Sequence, residues 1–582
     1  MKILLVHPDD SAEIGAWTGT RWDCAVDLGW SGRHAYSQQA ERLGFRVFSI
    51  YDLLDHEQHR CRIRQILALG LDQLVDSESV DWWDVFSAYP YPRLEQLMLL
   101  SALAEQIPDH AEIFATRPHF MLPALSLLLN RDAKNREIKS FSAERRTGFQ
   151  ARSRHYLKAA FAFRPSQLTE IAFDKWDMDY RLRRHFARFP KIRIESTPAI
   201  LLPSAYVNVS RVQVACARML PHRRFLQIVT RRNGRLQKLP DNVEFRSLAS
   251  YAPPSLPATG EECARLLARW QEVQNGLFET NAVLALAKAL HVFDGFAGFL
   301  KRGLRVRDAW REAFTREAIT AVLSADENNP YTRIPIMLAR SRKLHTVFCD
   351  HGALNMSLGI RRPVSDTYLM KGDMARNYGI GWCGLAAGKI VVGDPSETPR
   401  LLPSAQRTKK DWIVFYSEAY ELLSARTQTF YAELLPELCS LARSTNRKVI
   451  VKLHPFESFR MRKALVDRML SAEQRGLVEM REGPMTADLF ERAWFSLTLE
   501  SSVAVESTIN GVPCFLCRWF DPSWYDYGKQ YAKYSAGYPL DSPQRIREIP
   551  QLLEQFQVTE TTRRGLHTSI SPERLESVLS GT

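Results

Sequence analysis

The stretch from Trp412 to Pro455 reads WIVFYSEAYELLSARTQTFYAELLPELCSLARSTNRKVIVKLHP. It opens on five apolar, β-forming residues (Trp412 to Tyr416), runs through a helical pattern over Arg426 to Arg443, and returns to a second apolar run, Lys448 to Leu453. Two short strands flanking one helix form a βαβ unit, and a chain that repeats such units builds a parallel sheet covered on both faces. The repetition continues downstream. A helix is expected over Arg460 to Leu470, a strand over Leu477 to Met480, a helix over Met485 to Glu491 and strands over Phe495 to Leu499 and Cys514 to Cys517.

Upstream, the polar segment Ser396 to Lys410 contains Pro399 and Pro403 and lacks periodicity, which is the composition of a linker. Before it, a helix over Arg333 to Arg340, a strand over Thr346 to Cys349, a helix near Met374 and a strand over Lys389 to Val392 restore the alternation. The chain also begins in α/β style, with a strand at Lys2 to Val6, a helix at Gly32 to Leu43 and a strand at Arg46 to Ile50. Strands at Glu112 to Ala115 and Ala199 to Leu202, and helices at Leu94 to Gln106, Gly260 to Asn275 and Thr280 to Leu290, follow the same logic. The span of roughly 130–330 is richer in charge and aromatic residues and reads as a helical elaboration of the first domain. The expected division is therefore 1–397, a linker at 398–410, a second domain at 411–545 and a helical tail at 546–582.

With 582 residues, 45% of them hydrophobic, the chain has material for at least two cores. No stretch approaches the roughly 18 to 20 uninterrupted apolar residues of a spanning helix, and the start lacks a signal-peptide apolar region, so a cytoplasmic protein is expected. The nine cysteines form no spaced framework; Cys349, Cys514 and Cys517 lie in apolar runs and read as buried thiols. The formal charge of +13 gathers at Arg181 to Lys191, at Arg223, Arg224, Arg231, Arg232 and Arg235, and at Lys301 to Arg311. Such clusters suit solvated helices or peripheral contact with the inner face of a membrane. They accompany no nucleic-acid motif, so nucleic acid is not an expected partner.

Three islands carry chemistry. Glu500-Ser501-Ser502 through Glu506 places hydroxyls and a helix start after a strand, where a phosphate is held and a carboxylate one turn on accepts from ribose hydroxyls. Lys452-Leu453-His454-Pro455 places a histidine where an imidazolium would stabilise charge on a leaving nucleotide. Asp350-His351-Gly352 places a base beside an orienting carboxylate and a residue without Cβ. Ser417, after the Trp412 strand, belongs to the same donor side, while Asp9, Asp10 and the Gly32 region would line the acceptor side.

Taken with Asn329-Pro330, Ile390 to Pro395 and Gly511-Val512-Pro513, these islands resemble glycosyltransferases of the GT-B fold. The resemblance is to the branch of CDP-glycerol glycerophosphotransferases, capsule Kdo transferases and bacterial sialyltransferases, and covers roughly residues 325–545. It implies two Rossmann-like, doubly wound α/β domains facing a cleft. It further implies a metal-independent transfer of a sugar or polyol phosphate from a nucleotide-activated donor to a cell-envelope glycan or lipid-linked acceptor, with no further cofactor. His454 and Ser501 or Ser502 would contact the donor phosphate, and His351, less so Asp350, would be the base. The acidic-acidic-glycine form of sialyl and Kdo transferases is missing, which leaves a CMP-linked donor in doubt.

Rival readings attach to other residues. His7-Pro8-Asp9-Asp10 resembles the zinc-binding start of PIG-L-type deacetylases, but His110 lacks the pattern of a third ligand and Ser11 replaces the family's acidic residue. Asp177-Met178-Asp179 resembles a GT-A metal site but leads into a basic stretch rather than closing a strand. A non-catalytic nucleotide-sugar-binding assembly protein would keep the phosphate pocket and dispense with His351.

Overall fold

The computed structural model describes residues 1–6, 21–28, 44–116, 121–130, 137–140, 197–230, 236, 238–253, 257–355, 357–395, 410–418, 427–454, 457–520, 527–556 and 558–582. Their strands form three sheets, and every strand pair within them is parallel. The first sheet has β1 (Lys2–Val6), β2 (Cys24–Asp27), β3 (Arg46–Ser49), β4 (Glu112–Ala115) and β5 (Ile138–Ser140) in the order β3-β2-β1-β4-β5. The second has β6 (Ala199–Ser204), β7 (Phe225–Val229), β8 (Val243–Ser247), β9 (Ile319–Ser324), β10 (His345–Cys349), β11 (Thr367–Met370) and β12 (Ile390–Val392) in the order β12-β11-β10-β9-β6-β7-β8. The third has β13 (Trp412–Tyr416), β14 (Lys448–Lys452), β15 (Val478–Arg481), β16 (Ala493–Thr498), β17 (Cys514–Cys517) and β18 (Tyr538–Leu540) in the order β15-β14-β13-β16-β17-β18.

The α/β reading of the sequence is thus observed, with one sheet more than two domains require. The span of roughly 130–330 is not a helical elaboration: it supplies β6, β7, β8 and β9, four strands of the seven-stranded sheet. Nor do the strands of 1–397 belong together, since β1 to β5 share no sheet with β6 to β12. The reason for the misreading is burial on both faces. β6 is the strand read at Ala199 to Leu202, but β7 and β9 are almost wholly buried, so their residues show no apolar-polar alternation.

Compactness divides the chain into two units, one of 1–58, 99–168 and 399–563, the other of 59–98, 169–398 and 564–582. The expected tail at 546–582 is divided too. Its last helix, Pro572–Ser580, places Leu575, Val578 and Leu579 in one core with Ile200, Leu323, Val347 and Cys349 of the seven-stranded sheet. Just before it, Thr568 and Ile570 exchange backbone hydrogen bonds with Lys371 and Asp394 beyond the ends of β11 and β12. Gly372 and Gly393 permit that approach, because a Cβ at either would meet Leu566 or Ile570 at 2.6 to 2.7 Å.

Within the same unit, buried charge fastens the helix Trp82–Phe86 to the sheet. Asp84 accepts from Arg333 at 2.7 and 2.8 Å, and Arg361 and Arg362 lie within 3.9 and 3.7 Å of it. Arg307, 1% exposed, joins Asp76, Glu262 and Asp308. These pairs account for part of the basic composition, since Arg223 and Arg224 also bond Glu576 and Glu244. Arg231, Arg232, Arg235 and the stretch 181–191 lie outside the described residues. Among the described residues no helix is long and apolar enough to cross a membrane.

Removing one partner of a buried ion pair leaves the other charge uncompensated and costs about 3–5 kcal/mol. Asp84→Ala is expected to lower the stability of this unit by that amount in a urea titration followed by tryptophan fluorescence. An unchanged midpoint would contradict the role given to Asp84.

Candidate functional site

In an open parallel sheet the connections on either side of the point where strand order reverses leave in opposite directions and open a crevice at the carboxyl ends. In the third sheet that point lies between β13 and β16, in the second between β9 and β6. All three islands follow strands at or next to these points: Ser417 follows β13, Glu500 to Ser502 follow β16, His454 follows β14 and His351 follows β10. The donor-side residues belong to one compact unit and Asp350-His351 to the other.

The turn after β16 departs from the expectation of open backbone donors. The N–H groups of Leu499, Glu500 and Ser501 converge on one carboxylate oxygen of Glu418 at 3.2, 2.9 and 3.0 Å, and the Thr498 hydroxyl joins them at 2.9 Å. Glu418 thereby ties the end of β13 to the end of β16. Burial pushes its carboxyl up, against the pull of those hydrogen bonds. What the turn leaves to a ligand is Ser502, whose hydroxyl makes no capping bond to the helix Val503–Ile509 that it starts, whereas the Ser501 hydroxyl accepts from the Val503 N–H at 3.4 Å. Glu506 lies exposed on that helix, one turn on.

Three other residues expected to touch the donor are spent on the protein. Ser417 shares hydrogen bonds with Tyr431 at 2.8 Å and Glu457 at 2.7 Å. The Lys452 ammonium donates to the carbonyls of Leu453 at 2.8 Å and Gly483 at 2.7 Å. Glu500 pairs with Arg518 at 3.3 Å. They support the loops rather than extend from them.

His454 is held by its backbone, which donates to Glu457 at 2.8 Å and accepts from the Glu457 N–H at 2.9 Å. Glu457 is 4% exposed and also binds Arg462 at 2.8 Å. Burial first, and the Lys452 charge second, push the His454 imidazole below its ordinary value. At neutral pH the ring is therefore neutral rather than the imidazolium expected from sequence.

His351 is built differently. Its Nδ1 lies 2.9 Å from the carbonyl oxygen of Ala325, directly after β9, and a carbonyl only accepts, so Nδ1 carries the proton. Nε2 then holds a lone pair and has no hydrogen-bond partner among the described residues, on a side chain 34% exposed. Asp350 was expected to orient the ring. It lies 3.5 Å from Nδ1, farther than Ala325, and one of its oxygens accepts from the Gly352 N–H at 2.8 Å. The carbonyl is the principal orienter.

Asp9, Asp10 and Gly32 lie outside the described residues, as do His7, Pro8 and Asp177 to Asp179. Among the described residues no group of three His, Cys, Asp or Glu is arranged to hold a metal ion. Cys349, Cys514 and Cys517 are buried and free, in accord with their reading as core. Glu418, Glu457, Arg462, Lys371 and His567 were not identified from sequence.

No family model matches the chain, and no curated protein matches it. Among solved structures, it is similar to a UDP-GlcNAc 2-epimerase from Methanocaldococcus jannaschii at 13% identity, covering 66% of this chain and 100% of that one, with a TM-score of 0.41. It is similar to MurG from Acinetobacter baumannii at 12% identity, covering 66% and 100%, with a TM-score of 0.37. The third is spinosyn rhamnosyltransferase SpnG complexed with thymidine diphosphate, at 12% identity, covering 66% and 96%, with a TM-score of 0.35. At these levels they assign no residue of this chain a role.

Glu418→Ala orphans a cluster of buried donors, each worth about 1–3 kcal/mol when left unpaired, whereas Glu418→Gln keeps an acceptor in place. The alanine variant is expected to lose several degrees of melting temperature and the glutamine variant less; equal losses would contradict the nest. His454 gives a pH effect of stated sign. With its folded pKa below the unfolded value of about 6.5, the unfolded state binds the proton more readily, so stability falls as pH drops below about 6.5. His454→Asn is expected to flatten that slope in melts between pH 7 and 5, and an unaltered slope would contradict it.

Proposed function

We propose that this chain is a glycosyltransferase of the GT-B type, moving a sugar or polyol phosphate from a nucleotide-activated donor to a hydroxyl of a cell-envelope glycan or lipid-linked acceptor. The observation that carries the reading is His351: a ring fixed through Nδ1 and presenting an unpaired Nε2 lone pair at the carboxyl end of a parallel sheet. That is the arrangement a general base needs to take a proton from an attacking hydroxyl. The step balances simply. The acceptor oxygen bonds the transferred group, the bond from that group to the nucleotide phosphate breaks, and the acceptor proton passes to Nε2.

On this reading the third sheet holds the donor. Ser501 and Ser502 bind its phosphate, Glu506 its ribose, and neutral His454 donates to a phosphate oxygen as charge develops there. Glu418, Ser417, Lys452, Glu457 and Glu500 keep the turns that carry them in place. The reaction needs no metal. Asp9, Asp10 and Gly32 are proposed on the acceptor side. A cytoplasmic location at the inner membrane face, with basic clusters touching lipid, fits a lipid-linked acceptor.

The test is release of free nucleotide from UDP-, CDP-, GDP- and CMP-sugars in the presence of isolated cell-envelope glycan. His351→Ala is expected to cut turnover by at least about a hundredfold, the usual contribution of a general base, while leaving nucleotide affinity near normal. Normal turnover in this variant would refute the base and favour a non-catalytic binding protein.

A further inference from the structure

The ring of His351 takes its tautomer from one backbone carbonyl, so whatever aims that carbonyl sets the state of the base. The carbonyl of Ala325 and the N–H of Asp326 belong to one peptide unit, which is planar and trans, so the two point in opposite directions. The Asp326 N–H donates to the Ser324 hydroxyl oxygen at 3.3 Å. The Ala325 carbonyl, on the opposite edge of the same plane, lies 2.9 Å from His351 Nδ1. Holding the N–H therefore aims the C=O.

Ser324 suits that task by its place. It is the last residue of β9, fully buried, and beside the reversal between β9 and β6. Its hydroxyl proton goes to the Asp326 carbonyl at 3.0 Å, so one hydroxyl grips residue 326 by both of its backbone groups. The chain before and after is tied separately. On the helix Val207–Met219, the Gln213 amide donates to the Leu323 carbonyl at 3.0 Å and to the Pro203 carbonyl at 2.8 Å, joining the ends of β9 and β6. The Asp326 carboxylate accepts from the N–H groups of Asn328 at 2.8 Å and Asn329 at 3.1 Å, and Asn329 caps the helix Pro330–Ser341. Between these ties the Ala325–Asp326 peptide can still rotate about the bonds that flank it, and the Ser324 hydroxyl removes that freedom.

The histidine itself is anchored independently of Ser324. The Lys371 ammonium donates to the His351 carbonyl at 3.4 Å and lies 3.8 Å from Asp394, which is 3.6 Å from His567. The Asp350 oxygen nearest to Nδ1 is 3.5 Å away, outside hydrogen-bonding distance, and already accepts from the Gly352 N–H, so it does not replace the Ala325 carbonyl.

We propose that Ser324 is the positioning residue of His351: it keeps the ring proton on Nδ1 and the lone pair on Nε2, where the acceptor hydroxyl gives up its proton. Without the Ser324 hydroxyl the buried Asp326 N–H loses its acceptor, the peptide turns, and the carbonyl leaves Nδ1. The ring proton then moves to Nε2, which can no longer take another. The effect on turnover rests on the reading of His351 as the base, whereas the effect on the ring does not.

The experiment is nitrogen-15 NMR of the full chain labelled at histidine, which distinguishes the two tautomers of a neutral imidazole, with His351→Gln used to assign the His351 signals. Above about pH 8, where an ordinary histidine is neutral, the unaltered chain is expected to show Nδ1 protonated and Nε2 bare. Ser324→Ala is expected to give a mixture of tautomers, and Ser324→Thr, which restores the hydroxyl, to return the single one. In the nucleotide-release assay Ser324→Ala is expected to lower kcat about three- to tenfold, the worth of one neutral hydrogen bond, with KM unchanged. Ser324→Cys keeps the volume with a weaker acceptor and takes the place of the alanine variant if that fails to fold. An unaltered chain with the proton on Nε2, or Ser324 variants that lose stability while Nδ1 stays protonated, overturns the proposal and leaves the transferase reading to the His351→Ala test. A changed tautomer with normal turnover upholds the positioning of the ring and overturns His351 as the base.

Discussion

Parallel pairing is the constraint on which everything else in this chain depends. A parallel strand buried on both faces must hand its chain to a crossover at the carboxyl end, and where strand order reverses the two neighbouring crossovers part company. The chain makes such a reversal in each of its three sheets. Around the reversals of the second and third sheets sit polar residues: Asp350 and His351 after β10, Ser417 and Glu418 after β13, and Glu500 to Ser502 after β16. Chemistry gathers there because the backbone turns away and leaves room, not because those loops are polar.

Buried charge then decides which of these residues face outward. Glu418 fills the three N–H groups after β16, Glu457 fixes the His454 turn, and the Ala325 carbonyl fixes the His351 ring. In each case a group that reads as a ligand contact is backed by another that holds it. The Asp84 and Arg307 clusters act at a larger scale, fixing the helix Trp82–Phe86 to the body that carries His351. Such pairs favour one geometry over its neighbours, although their net contribution to stability is small beside the cost of breaking one.

Much of this was legible in the sequence, and unevenly. β13, β14 and β17 lie within a residue of where the apolar runs place them, because each run is short and bounded by polar residues or, before β17, by the Gly511-Val512-Pro513 turn. β7 and β8 hide beside the Arg223 and Arg231 clusters, and β9 follows directly on the basic helix Phe296–Arg316, so charge density, added to burial on both faces, masked three of the sheet's seven strands. The positions of His351 and His454 followed from strand ends. Glu418 did not: nothing in a Ser-Glu pair says that its carboxylate will meet N–H groups about 80 residues on. Lys371 and His567 escaped for the same reason, since their neighbourhood exists only once the last twenty residues return to the seven-stranded sheet.

The proposed transfer depends on the third sheet binding an activated nucleotide. The most direct measurement is a thermal-shift panel of CMP, CDP, UDP and GDP with their sugar conjugates, since a ligand held at a hundred times its dissociation constant stabilises the folded form by about 2.7 kcal/mol. One base is predicted to raise the melting midpoint by several degrees, and Ser502→Ala to reduce that shift. No shift from any nucleotide at millimolar concentration would contradict the account.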